Sequence, residues 1–222
     1  MYKLYLLIIF TFFSGSSYSS PVYLSSYSLD SGMTNSWGGG IHSTAFHGIR
    51  FSVENQIHLT GLTAYMQGSG NYFGAIAQVD SASGLPTVPL NNVQAESLAY
   101  RTGTFDSYTR YDGVVVNTLG DHTLIFDVTL SSGYYVAFFG GFGGFGAEDS
   151  GIIPFVDNPS LSLIPISDYV INSSGTWFEA PSEVVRIEIL ADVISPVPLP
   201  PSIILFLSGS LLGLRFIKRK ST

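Results

Sequence analysis

The sequence Thr123-Leu124-Ile125-Phe126-Asp127-Val128-Thr129-Leu130 gives the clearest indication of the fold class. Every second residue from Leu124 to Leu130 is apolar, and the residues between them are polar except for Ile125. This period of two predicts a strand with one buried and one solvated face. Ser131-Ser132-Gly133 follows as a turn, and residues 134–139 are mostly aromatic or β-branched. The two runs together predict a β-hairpin.

Similar alternation recurs on both sides of this stretch. Residues 45–53 and 57–66 predict a second pair of strands, with a β-bulge where the phase changes at Gly61. Residues 71–79 predict another strand, and residues 185–189 alternate apolar with charged side chains. Only residues 93–100 have helical character, over a short stretch. We therefore predict an all-β fold, an antiparallel β-sandwich of jelly-roll type, in one domain of residues 21–195.

The charge of this domain excludes one large class of partner. The 222 residues include 16 acidic and 9 basic side chains. All the acids lie within residues 21–195, but only four of the bases do, so the net charge of the domain is −12. Phosphate backbones would be repelled, and we expect no nucleic-acid binding. The lack of cysteine also excludes disulfides, thiol catalysis and cysteine-ligated zinc.

The first twenty residues predict a secretory signal peptide. Lys3 precedes a mostly apolar run, residues 4–13, and small residues follow from Ser14 onward. This order is typical of a signal peptide, and the apolar run is too short to span a bilayer as a helix. We expect cleavage near Ser19 or Ser20 and a domain that works outside the cytoplasm.

Residues 196–222 form a second candidate targeting segment with three parts. The proline-rich residues 196–201 predict an extended spacer, because proline cannot continue a helix. Residues 203–217 would form an apolar helix of about 22 Å, shorter than a hydrocarbon core of about 30 Å. A basic cluster closes the chain and would stay on the cytoplasmic side of the membrane. It consists of Arg215, Lys218, Arg219 and Lys220.

This tripartite tail resembles the PEP-CTERM sorting signal of Gram-negative bacteria. The matching residues are Val197, Pro198 and Pro200, then the apolar segment with Ser210-Leu211-Leu212-Gly213-Leu214, then the basic cluster. Leu199 stands where the family has glutamate, as in its Val-Pro-Leu-Pro variant, and Pro201 stands where that variant usually has alanine. The resemblance implies processing by an exosortase, a precursor held briefly in the inner membrane, and a mature protein at the cell surface or in a biofilm matrix. A plain single-pass tail anchor is the alternative.

The order of the predicted strands also resembles the extracellular jelly-roll domains that accompany this sorting signal. The matching features include the strand of residues 46–53, the Gly84-Leu85-Pro86 turn and the alternating residues 185–189. Such features are common in β-domains, so this likeness supports the fold only. Proteins with this signal accompany exopolysaccharide production, which implies extracellular polysaccharide as a partner.

Catalytic motifs are missing from the sequence. No serine-nucleophile elbow, zinc-protease helix motif or phosphate-binding glycine loop is present. His42 and His47, if both lie on one extended strand, would be about 17 Å apart and could not share a metal. The sixteen scattered carboxylates do not single out a catalytic pair. We therefore expect no enzymatic activity.

Two segments are candidates for ligand binding. Asp106 and Asp112 bracket Tyr108 and Tyr111, and aromatic faces with nearby carboxylates suit sugar contacts, although a solvated loop is the simpler interpretation. Acidic residues within and shortly after the glycine-rich residues 140–151 could offer oxygen ligands to calcium. A loop without an ion is the simpler interpretation. These acids are Glu148, Asp149 and Asp157. We expect no other cofactor, and we expect Trp177 to cover the core, with a ligand platform as the alternative.

Three functions remain open at this stage. The leading one is a non-enzymatic, exported and exosortase-processed surface or matrix protein that associates with extracellular polysaccharide. The second is a glycan-active hydrolase on a jelly-roll scaffold, which would need a cleft with paired carboxylates. The third is a membrane-tethered structural protein without a ligand.

Overall fold

Residues with high strand propensity form strands throughout the part of the chain that the structure describes. The computed structural model describes residues 21–27, 38–105, 107–109, 115–117, 119–144, 149–156, 168–181 and 185–194. Side chains of residues 21–23, 107–109 and 115–117 are outside the description. The strands are β1 Pro21–Ser25, β2 Gly38–Ile41, β3 Ala45–Val53, β4 Ile57–Ser69, β5 Asn71–Val79, β6 Ala99–Thr104, β7 Ser107–Thr109, β8 Val115–Asn117, β9 Gly120–Leu130, β10 Gly133–Gly141, β11 Ser150–Pro154, β12 Tyr169–Ser173, β13 Thr176–Glu179 and β14 Ile187–Val193.

These strands form two six-stranded sheets and one short ribbon. The first sheet has the order β1-β14-β4-β11-β2, and β9 also pairs with β4. The second sheet has the order β13-β12-β3-β10-β5-β6, and β7 pairs with β8. Every ladder is antiparallel. Helical structure in the described residues is confined to a 3₁₀ turn, Leu90–Asn92, and the helix α1, Val93–Glu96. The predicted all-β class with antiparallel sheets is confirmed.

The strand alternation around Leu124 is confirmed residue by residue. Leu124, Phe126 and Leu130 are buried in the core between the sheets, whereas Ile125 is 72 % exposed on the opposite face. The predicted strand of residues 71–79 matches β5. The predicted bulge is also confirmed, because the registers of β4 with β9 and of β4 with β14 both shift between Leu59 and Gly61.

Both predicted strand pairs are wrong. β9 pairs with β4 in the first sheet, whereas β10 pairs with β3 and β5 in the second. The same holds for β3 and β4, which also belong to different sheets. Residues 54–56 and 131–132 are therefore arches that cross from one sheet to the other. Alternation predicts that each strand buries one face. It does not distinguish a next strand that pairs with it in the same sheet from one that packs against it from the facing sheet.

The described residues form two hydrophobic cores. The larger core lies between the sheets and is built from the inward residues of both. The smaller core, here called the outer core, lies on the outer face of the second sheet, where residues 85–93 and Trp177 cover it. Its largest side chains are Phe46, Phe73, Phe138 and Trp177. Trp177 is 8 % exposed and donates its indole N–H to the Val88 carbonyl at 3.3 Å, which confirms its predicted role as a lid.

The two predicted targeting segments, residues 1–20 and 196–222, lie outside the described residues. The sorting motif Val197, Pro198, Leu199 and Pro200 and the basic cluster fall in the second of them. Within the part that is described, no helix has the length and apolarity needed to cross a membrane. The described residues all lie in one unit of contacts, Ser20–Ile194.

Candidate functional site

The candidate site lies where the cover of the outer core ends. Along β3, Phe46, Gly48, Arg50 and Ser52 share the outer face of the second sheet, since Phe46 belongs to the outer core and alternate residues face the same way. The cover packs over the Phe46 end. Towards Ser52 the face becomes polar, and two adjacent cavities open there.

Tyr134 lies at the centre of this cleft. It faces outward near the start of β10, with Ser52 of β3 on one side and Val79 of β5 on the other. The side chain is 41 % exposed and, together with Ser52, lines both cavities. The cavities have volumes of about 160 Å³ and about 450 Å³, and the larger one is the more open to solvent. We call these two cavities the Tyr134 cleft.

The smaller cavity contains the only described cation of the cleft. Arg50 is 5 % exposed, and its Nη1 lies 2.9 Å from Oε1 of Glu179 on β13. A buried guanidinium needs such a partner, because an unpaired charge there would cost several kcal/mol, roughly, in desolvation. Glu179 is 47 % exposed, so the pair reaches from the protein interior to solvent.

Asp168, the residue before β12, lines the same cavity. Partial burial raises the pKa of its carboxyl, Arg50 lowers the pKa, and the like charge of Glu179 raises it again. Two carboxylates thus share the field of one guanidinium. The larger cavity lies beside the two arches, with Glu54 and Ser132 in its wall. The cleft as a whole combines an exposed aromatic ring with acidic groups, one paired cation and serine hydroxyls.

The predicted sugar-contact residues lie largely outside the part of the chain that the structure describes. Tyr108 is in β7, where its backbone pairs with Val116 of β8, and its side chain lies outside the described part. The same is true of the whole of Asp106, Tyr111 and Asp112. The prediction for these four residues therefore stays a prediction.

The predicted calcium ligands are described only at Asp149. Its Oδ1 accepts hydrogen bonds from the backbone N–H of Asn71 at 2.6 Å and from the Asn71 amide at 3.0 Å. Its carbonyl accepts the N–H groups of Phe142 and Gly143. Asp149 thus joins the glycine-rich loop to the start of β5. Glu148 and Asp157 are outside the described residues, and among those described no group of three potential metal ligands occurs.

The two histidines do not lie on one extended strand, which corrects the predicted separation. His42 and Ala45 exchange backbone hydrogen bonds across a turn at residues 43–44. His47 is 4 % exposed, and a Cβ on Gly39 would clash with its ring, so only glycine fits there. Burial lowers the pKa of His47 to about 4, a hydrogen bond with the Gly40 backbone raises it in part, and His42 lowers it further.

Sequence reasoning missed the residues of the Tyr134 cleft. One signal was present: Arg50 interrupts an otherwise apolar or small outward series in β3. A charged residue at a position that the period assigns to a covered face indicates either an ion pair or the edge of a site. Asp168 and Glu179 carry no such signal, because their approach to Arg50 depends on the order of strands β13-β12-β3.

Comparison with known proteins finds no family model that matches the chain and no curated protein with a significant match.

Proposed function

We propose that the chain is an exported surface or matrix protein whose β-sandwich binds extracellular polysaccharide in the Tyr134 cleft. The observation that supports this most directly is the exposed ring of Tyr134 between two cavities lined by polar groups. Sugars combine apolar ring faces with many hydroxyls, so they bind aromatic faces flanked by hydrogen-bonding groups. Asp168 and the serine hydroxyls offer such groups on the same side of the sheet as Tyr134.

The export and processing part of the proposal rests on the tail. The resemblance of Val197-Pro198-Leu199-Pro200 and of the basic cluster to a sorting signal supports an exosortase as partner. The precursor would sit transiently in the inner membrane and the mature protein at the cell surface or in the matrix. A jelly-roll path is supported by the repeated crossing of consecutive strands, β3 to β4 and β9 to β10, between the two sheets.

Glycan binding is tested with the full chain purified in detergent, on an array of bacterial and plant polysaccharides. We expect binding by the wild-type protein and a loss of at least tenfold in affinity for Tyr134→Ala, because stacking on an aromatic face is removed. Ile125→Ala is the matched control, since this exposed residue lies on the first sheet. Equal binding by wild type and Tyr134→Ala would exclude the cleft as the site. Absence of any binding would favour a structural protein without a ligand.

Processing is tested in a host that carries an exosortase. Wild-type protein should lose about two dozen residues from its C-terminus, since the apolar segment begins near Ile203. Pro198→Ala combined with Pro200→Ala should accumulate as a membrane-bound precursor, because the helix can then extend backwards through Leu199. Intact-mass measurement decides the matter, and a wild-type product that still ends at Thr222 would mean that the tail is only an anchor.

Glycan hydrolysis is a second candidate because Asp168 lines the cleft and a second carboxylate, Glu179, pairs with Arg50 of the same cavity. A hydrolase needs one carboxyl group that keeps its proton, and the pKa of Asp168 is raised in that direction. Release of new reducing ends from bound polysaccharide, abolished by Asp168→Asn, would establish this activity. Binding without such release would establish the non-enzymatic function.

A further inference from the structure

The charges that line the Tyr134 cleft are unbalanced. Arg50 supplies the described cation, and it is buried and paired with Glu179. Asp168 faces the smaller cavity and Glu54 the larger one. Glu179 therefore neutralises the guanidinium, and the two carboxylates that line the cavities have no second cation among the described lining residues. A ligand that enters this cleft meets an excess of negative charge close to the ring of Tyr134.

The charge of the whole domain acts in the same direction. Residues 21–195 contain four arginines, no lysine and sixteen acids. Like charges repel over a Debye length of about 8 Å at physiological ionic strength, so a uronate polymer would be disfavoured near the cleft and around it. An ammonium group on the ligand would be attracted instead.

We infer that the Tyr134 cleft selects glycans that carry free amino groups, such as polymers of unacetylated hexosamine, over neutral and acidic glycans. This inference rests on the proposed function, because it names the sugar class for the same site. The sugar ring stacks on Tyr134, and the ammonium group donates charge-assisted hydrogen bonds to a carboxylate of the cleft. Such stacking also places the cation near an aromatic face, which attracts it.

Asp168 is the carboxylate best suited to this contact. It is partly withdrawn from water, where an ion pair gains more than at the open surface. Glu179 already accepts Arg50, and Glu54 is exposed. We therefore expect Asp168 to supply most of the preference for an amino sugar, and Tyr134 to supply affinity for all sugars alike.

The experiment is calorimetric titration of the full chain in detergent with three oligosaccharides of equal length. They are made of glucosamine, N-acetylglucosamine and galacturonate, and the buffer keeps the amine protonated and the carboxylates ionised. The glucosamine oligomer should bind about tenfold more tightly than its acetylated form, and the galacturonate oligomer should bind weakest. Added salt should reduce the first difference.

Two variants separate the sources of affinity. Asp168→Asn should bind the glucosamine and N-acetylglucosamine oligomers equally, whereas Asp127→Asn should keep the tenfold difference. Asp127 is the matched control because it is an exposed carboxylate on the first sheet. Unchanged far-ultraviolet spectra and melting temperatures show that both variants fold.

The inference is overturned if galacturonate binds as tightly as glucosamine, or if Asp168→Asn keeps the full preference. In either case binding that still depends on Tyr134 leaves the proposed function intact. The proposed function itself fails if none of the oligomers and polysaccharides binds, or if Tyr134→Ala binds them all like the wild type. The failures of the two proposals are therefore distinguishable.

Discussion

The outer faces of the two sheets are built differently. On the first sheet, two residues of β9 are largely exposed to solvent, Ile125 by 72 % of its surface and the side chain of Asp127 by 85 %. The second sheet instead buries its outer aromatics under residues 85–93 and Trp177. The described part of this cover stops at Arg50, where the Tyr134 cleft begins. Among the described residues, the cleft therefore lies where the cover of a sheet face ends.

The outer face of the first sheet also carries a network of charged side chains. Arg186 contacts Glu188 through Nε at 2.8 Å and Nη2 at 2.7 Å, and Asp121 through Nη2 at 3.3 Å. The guanidinium lies 5.7 Å from the ring of Tyr65. Its charge is therefore neutralised within the sheet, with the side chain only 12 % exposed. In the second sheet the comparable arginine, Arg50, faces an open cavity.

The largest effect on stability should come from the outer core. Phe138 is fully buried, and its ring lies 5.0 Å from Trp177 and 5.9 Å from Phe46. Phe138→Ala should lower the free energy of unfolding by about 3–5 kcal/mol, because it removes a large ring and leaves a cavity. Ile125→Ala, on the exposed face, should change it by less than about 0.5 kcal/mol. Urea denaturation measures both, and similar losses would mean that the two outer faces are equally covered.

A smaller effect is expected from pH, through His47 on the inward side of β3. Its pKa in the folded protein is about 4, below the ordinary 6.5, because burial disfavours the charged ring. The unfolded chain therefore binds more protons between these values. The contribution of neutral His47 to the free energy of unfolding is fully present above pH 6.5. It decreases by about 3 kcal/mol as the pH falls towards 4.

Denaturation at a series of pH values tests this expectation against His47→Gln. The variant lacks the titrating ring, so its stability should fall less steeply between pH 6.5 and 4 than that of the wild type. Parallel curves for the two proteins would show that the pKa of His47 is not lowered in the folded protein.

The sequence was sufficient for strands with clear alternation, such as β5 and β9, but it missed others, such as β6, where helical character was expected up to residue 100, and it was insufficient for the strand partners. Leu124 to Leu130 predicted its own buried face correctly, because alternation is a local property of the chain. The predicted pairing with the next strand was wrong, because the short arch of residues 131–132 crosses to the facing sheet. No local pattern distinguishes such an arch from a hairpin turn when both strands bury one face in the same core.

The same limit explains why the candidate site was missed. Arg50, Tyr134 and Asp168 are far apart in sequence and meet only through the order of strands in the second sheet. The acidic and aromatic residues chosen from sequence were neighbours along the chain, as Tyr108 and Asp112 are. Local clustering finds loops, whereas a sheet face assembles one residue from each of several strands.

A further effect is expected at the end of the second sheet opposite the cleft. Asp149 has φ of +62°, and its Oδ1 accepts two hydrogen bonds from Asn71, the first residue of β5. Asp149→Ala removes both bonds and places a non-polar residue in the left-handed region, so stability should fall by about 1–3 kcal/mol. Asp149→Asn keeps an acceptor oxygen and tolerates this conformation, and it should lose less than about 1 kcal/mol.

Melting curves in calcium and in chelator extend this test. If Asp149 acts only through Asn71, calcium should shift the wild type and Asp149→Ala equally. Calcium that stabilised the wild type but not the variant would instead identify Asp149 as a ligand and revive the predicted ion site.

The smallest effect should come from the exposed ion pair of the first sheet. His58 Nε2 lies 3.3 Å from Asp127 Oδ1, and the two side chains are 36 % and 85 % exposed. Water screens such a pair and both side chains lose freedom in forming it, so the coupling should be below about 0.5 kcal/mol even when His58 is protonated. A double-mutant cycle with His58→Gln and Asp127→Asn measures the coupling, which should vanish at about 1 M salt. A coupling above about 1 kcal/mol that survives salt would mean that this face is shielded from water in solution. The contrast between the exposed β9 part of the first outer face and the covered second face would then be wrong.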